Sequence, residues 1–161
     1  MTTDRDTASQ HEQSNVVEVV NQQAGWPIDE SQLQQAVHTV LAGEGFDRAN
    51  ISLAIVDNTT IHKLNRQFLK HDYATDVLSF VLDHDHGYVE GEIIASAEMA
   101  HQLAACYGWK TGDELLLYVI HGTLHLAGYD DQTANAKQKM RGREIFYLKQ
   151  FGLTPRYEER S

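Results

Sequence analysis

At 161 residues, 42% of them hydrophobic, the chain is long enough to bury the core of one domain. Its formal charge of −10 argues against a broad basic surface for sequence-independent nucleic-acid binding, and its single cysteine, Cys106, excludes an internal disulfide and a cysteine-rich zinc finger. The start lacks a secretory apolar stretch and no apolar run is long enough to span a bilayer, so the expected setting is the cytoplasm, away from membranes.

Residues 1–14 carry no Val, Ile, Leu, Phe, Trp or Tyr and read as a disordered tail; a single domain is expected over 15–155, followed by a C-terminal tail at 156–161. The Val-rich segment 15–22 predicts a first strand, which Trp26-Pro27 breaks. Asp29, with Gln32 three residues on, caps a helix whose apolar stripe is Leu33, Val37, Val40 and Leu41 and which Gly43 ends. ISLAIVD (51–57) reads as a strand, and Asp57 or Asn58 caps a short helix with Ile61, Leu64, Asn65 and Phe68 inward. VLSFVLD (77–83) and GEIIAS (91–96), joined by a polar turn, suggest an antiparallel pair within a mixed sheet. Ser96 caps a helix running through Met99, Leu103 and Tyr107 to Gly108, and in that setting Cys106 reads as a buried, inert thiol. Thr111 and Glu114 form a capping box for a helix that is apolar nearly all round and is therefore the central one. The last helix, from about 133 to 151, turns Met140, Ile145, Leu148 and Phe151 inward, and its run of Lys137, Lys139, Arg141 and Arg143 reads as a solvated face. The fold class is α+β: a small mixed sheet packed against about five helices.

The chemistry concentrates on the central helix. His121 and His125 are four residues apart and so share one face, among Leu117, Ile120 and Leu124. Two imidazoles in apolar surroundings need partners for their nitrogens, and one metal ion serves both. Gly128 allows a left-handed exit from the helix, after which Asp131 can return to the same ion. The spacing His-x3-His-x2-Gly-x2-ligand resembles that of extended zinc proteases, whose three-ligand site keeps a coordination position open. Those enzymes place a glutamate base directly after the first histidine; here the residue is Gly122, which disfavours a peptidase and leaves space beside the metal.

The run HGTLHLAGYDD (121–131), preceded by ATDVLSF (74–80) and GEIIAS (91–96), resembles the YbeY family of bacterial endoribonucleases over roughly residues 50–153. The resemblance implies an enzyme with one Zn2+ per chain, a zincin-like site on the central helix, and single-stranded RNA as substrate. It also implies a place in ribosomal RNA maturation, at the 3′ end of small-subunit 16S rRNA, and in ribosome quality control, with the small subunit or its proteins as partners. The implied metal ligands are His121, His125 and Asp131, the last standing where the family typically has a third histidine. Asp130 is the competing ligand, and the spacing favours Asp131. Leu69 stands where many members carry an RNA-contacting arginine, so Lys70 or His71 would take over the phosphate contact. Glu92 is the expected auxiliary acid or base, and the RNA is expected over the strand edge 77–81. Asp76 and Ser79 have structural readings at least as strong as substrate contact, and the loop histidines His84 and His86 read as solvated. The alternative function is a ribosome assembly factor that holds rRNA or a ribosomal protein and uses its metal as structural cement.

Overall fold

The computed structural model describes residues 15–155, so the two expected tails lie outside the described residues. The elements are β1 (Asn15–Asn21), α1 (Glu30–Gly43), β2 (Arg48–Val56), α2 (Asn58–Leu69), β3 (Val77–Asp85), β4 (Tyr88–Ser96), α3 (Ala97–Ala104), α4 (Thr111–Leu126) and α5 (Ala134–Gln150). The sheet order is β1-β2-β4-β3, with β1, β2 and β4 parallel and β3 antiparallel to β4 at one edge. This is the expected mixed sheet with five helices. None of the described helices is long and apolar enough to cross a membrane.

Alternation along the strands separates two faces. Ile51, Leu53 and Ile55 of β2, with Val89, Ile93 and Ala95 of β4, face the main core, which α1, α3, α4 and α5 complete. Val56, Leu78 and Ile61 form a smaller cluster on the other face under α2. The central helix α4 is buried along most of its length, including Leu115 to Ile120, as its nearly uniform apolarity requires.

Local signals account for most boundaries. Asp29 accepts from the Gln32 amide, Asp57 from Thr60 and Ser96 Oγ from Met99, so each starts its helix as a side-chain cap. The cap of α4 lies one residue earlier than expected. Lys110 is the N-cap, its amide donates to Asp113, and Glu114 is instead buried, accepting from the Trp109 indole at 2.8 Å.

Three further expectations need correction. The polar segment between β3 and β4 is largely strand: both strands extend to a turn at His86-Gly87, where Gly87 has φ 70°. Phe68 is not inward but 57% exposed, because α2 ends over the edge of the sheet and only Ile61 and Asn65 are fully covered. Cys106 is exposed, because α3 gives way to a 3-10 turn at Ala105–Tyr107 that rotates the thiol off the core side.

Candidate metal centre

His121 and His125 occupy the last turns of α4, four residues apart, with their rings 4.6 Å centroid to centroid and nearly perpendicular. The helix ends in a Schellman arrangement: the Gly128 amide donates to the His125 carbonyl and the Tyr129 amide to the Leu124 carbonyl. Gly128 has φ 107°, a left-handed conformation that side chains resist, so glycine is what lets the chain double back here. The reversal brings Asp131 over the helix end.

Three donor atoms converge. The two Nε2 atoms lie 3.0 Å apart, and Asp131 Oδ2 is 3.4 Å from His121 Nε2 and 3.7 Å from His125 Nε2. A tetrahedral zinc with bonds near 2.0–2.1 Å separates its donors by about 3.3 Å, so the three spacings bracket what one small ion requires. Among the described residues this is the one His/Cys/Asp/Glu group close enough to share an ion.

Hydrogen bonding decides the tautomers. His121 Nδ1 is 2.8 Å from Glu144 Oε2, and His125 Nδ1 is 3.0 Å from the Tyr129 carbonyl. Both partners accept, so both Nδ1 atoms carry the proton. In the neutral rings both Nε2 atoms are then bare lone pairs, aimed at each other and at a carboxylate. Three acceptors at these distances repel unless a cation or an extra proton lies between them, which is the donor chemistry of a metal centre. The environment also favours the charged imidazolium at His121. Burial pulls its pKa down, but the hydrogen bond and charge of Glu144, with the charges of Asp76 and Asp131, outweigh burial and raise it.

The site opens to solvent. Asp131 is 42% exposed and the two histidine side chains about a quarter, whereas Glu144 behind His121 is only 4% exposed. A cavity of about 170 Å³ abuts His121 and Asp131 and is walled by Asp76, Lys137, Arg141 and Glu144. A larger depression of about 580 Å³ lies on the other side of the turn, lined by Glu44, Tyr129, Asp130 and Lys139; none of the three donor residues lines it.

A polar network fixes the turn from outside. Tyr129 donates its hydroxyl to Glu44 at 2.7 Å, and Glu44 also receives two bonds from Arg143 and one from Tyr147. One carboxylate at the end of α1 thus ties α5 to the residue whose carbonyl orients His125.

Other sequence-derived candidates fall elsewhere. Glu92 is exposed and sits on the face of the sheet opposite α4, since its neighbour Ile93 packs under Gly122; it is not brought to the donors. Lys70 caps the C-terminus of α2 with φ 59° and is exposed; it does not line the cavity beside His121. Asp130 accepts from the Gln132 amide and shapes the turn, leaving the donor position to Asp131. Ser79 donates to the Gly122 carbonyl at 2.8 Å. Gly122 itself does not open space beside the donors: a Cβ there would come within about 3 Å of Ile93, Ser79 and Val77. Its hydrogen side is the contact between α4 and the sheet. Glu144 and Tyr129 were missed as site residues, and Asp76, weighed only between a structural role and substrate contact, lies at the wall of the cavity beside His121. For Glu144 a signal existed, because it interrupts the buried stripe of Met140, Tyr147 and Leu148 with a charge that must find a partner.

A family model described as Endoribonuclease YbeY matches residues 18–152. A protein named Endoribonuclease YbeY from Rhodopirellula baltica is 44% identical over 125 residues, which cover 76% of this chain and 64% of that protein, so this chain spans under two thirds of that relative. One of the same name from Chlorobaculum parvum is 40% identical over 121 residues, covering 75% of this chain and 85% of the relative. The solution structure of a Thermotoga maritima protein shares the fold, with a TM-score of 0.57 at 24% identity over 84% of this chain and 91% of that one.

Proposed function

The chain belongs to the YbeY endoribonuclease family, and on that premise we propose that it is a zinc-dependent endoribonuclease that cuts single-stranded RNA. Its place is in rRNA maturation, at the 3′ end of small-subunit 16S rRNA, and in ribosome quality control. It works in the cytoplasm beside the small ribosomal subunit or its proteins. The observation that carries the reading is the pair of facing Nε2 lone pairs, 3.0 Å apart, with the Asp131 carboxylate beside them.

His121, His125 and Asp131 hold the ion, one per chain. Two imidazoles and one carboxylate suit zinc, and three protein ligands are the mark of a catalytic rather than a structural site. Zinc in such a site supplies Lewis acidity toward a phosphoryl oxygen and lowers the pKa of water. The protein does the rest. Glu144 holds the proton on His121 Nδ1, and the Tyr129 carbonyl holds that on His125 Nδ1, so both rings stay in the ligating tautomer. Gly122 leaves no carboxylate where a zinc peptidase keeps its base, which favours a phosphodiester over a peptide.

The alternative of an assembly factor with a structural metal fits less well. Structural zinc sites are closed by four protein ligands, whereas this donor set has three and faces solvent through Asp131. The test is His121→Ala beside Asp131→Ala, with zinc content, melting temperature and rRNA maturation followed together. Folded, zinc-free variants that no longer support maturation are expected. Folded, zinc-free variants that still support it would exclude catalysis.

A further inference from the structure

The cavity beside the donors has walls of mixed charge, and the cations come from one helix. Lys137, Arg141 and Glu144 stand at i, i+4 and i+7 of α5 and so share the face that looks toward α4. Glu144 serves His121, and the two cations line the cavity beside it. The loop before β3, where a phosphate contact was expected, contributes to the wall only Asp76, an acid.

Lys137 and Arg141 change the charge of the cavity. Asp76, Asp131 and Glu144 place three negative charges around the cavity, and the two cations reduce this to one. A bound dication then turns the loaded cavity net positive by one. Without Lys137 and Arg141 the loaded cavity would stay net negative by one and repel a phosphodiester anion. Size narrows the ligand further. At about 170 Å³ the space is well below the roughly 300–1,000 Å³ of pockets that enclose a whole drug-sized ligand. A group as small as a backbone phosphate suits such a space.

We propose that Lys137 and Arg141 form a phosphodiester subsite that holds the RNA backbone against the metal centre from the α5 side. The assignment rests on the RNA chemistry proposed above and names the residues that deliver its substrate. It implies that affinity at this site is indifferent to base identity, because a backbone contact carries no sequence information. The guanidinium can clamp two phosphate oxygens at once, while the ammonium acts as a point charge at the exposed rim.

The test uses the zinc-loaded full chain and a 2′-O-methyl single-stranded RNA that resists cleavage. Binding is measured across a salt series for the wild type, Lys137→Ala, Arg141→Ala and Arg141→Lys. Lys139→Ala is the charge-matched control from the same helix, outside the cavity. Zinc content and melting temperature are recorded for each. We expect each alanine variant to keep its zinc and bind about tenfold more weakly. The slope of log affinity against log salt should flatten by about 0.7 for each lost contact. Arg141→Lys should keep the wild-type slope, as should Lys139→Ala. On a cleavable RNA, Lys137→Ala should raise KM. Lys137 is exposed, so its replacement tests the subsite even where Arg141→Ala disturbs folding. Wild-type affinity and slope in Lys137→Ala, with the wild type still cutting RNA, would overturn the subsite and leave the family reading intact. A wild type that neither binds nor cuts single-stranded RNA would overturn both.

Discussion

Glu144 is a buried carboxylate bonded to the His121 ring at 2.8 Å, and its position sets the chemistry of His121. Replacing it separates the charge from the shape. Glu144→Gln keeps the side-chain volume and an acceptor but removes the negative charge that makes His121 a stronger donor. Zinc affinity should fall ten- to a hundredfold, the usual cost of losing such a partner, and competition against a chromogenic chelator would measure it. Unchanged affinity would mean that Glu144 only fills space. Asp131 lies at the exposed side of the donor set. It is largely exposed, so Asp131→Asn should leave the melting temperature of the metal-free protein within a degree or two while weakening zinc. His121 and His125 were legible from their four-residue spacing on an apolar helix. Glu144 was not singled out, because the run of basic residues around it invited a reading of that segment as solvated surface.

The turn after α4 is positioned by elements distant in sequence. Glu44 ends α1, Tyr129 belongs to the turn, and Arg143 and Tyr147 belong to α5. Burial raises the Glu44 pKa, but hydrogen bonds from Tyr147, Tyr129 and Arg143 outweigh it and hold the carboxyl below its ordinary 4.5. A depressed carboxylate pKa contributes stability that is present above the unfolded value and is lost as pH falls through the folded one. The melting-temperature gap between wild type and Glu44→Gln should therefore be full at neutral pH and shrink as pH drops below about 4.5. A gap that stays constant down to pH 3 would contradict this role. The contact of α4 with the sheet makes a second prediction. Gly122→Ala inserts a Cβ about 3 Å from Ile93, Ser79 and Val77, and should destabilise by about 1–3 kcal/mol in denaturant unfolding. The sequence suggested instead that this glycine opened room for substrate, a three-dimensional question that spacing alone does not answer. Glu92 could have been placed correctly. Its neighbour Ile93 is plainly core, and strand alternation then turns Glu92 to the opposite face.

At the scale of the molecule, the four-strand sheet and five helices hold the α4 end, the metal turn and α5 in one fixed relation. The helices were legible because their caps and apolar stripes are local. The lengths of β3 and β4 were not, because His84 and Asp85 read as turn residues yet pair with Val89 and Tyr88 across the hairpin. The net charge of −10 argues against a broad nucleic-acid surface but not against the proposed local one, where two cations line one small cavity. Zinc should stabilise the whole chain by mass action, by about 2.7 kcal/mol at a hundred times its Kd, and a chelator should reverse this in a melting curve. The dependence of RNA cleavage on one zinc, held by His121, His125 and Asp131, follows from the proposed function. It is tested most directly by titrating zinc into the metal-free protein while following cleavage of a single-stranded RNA oligonucleotide. Cleavage should rise from background to a plateau at one zinc per chain. Metal-free protein that cuts as fast as the loaded form would overturn the zinc dependence.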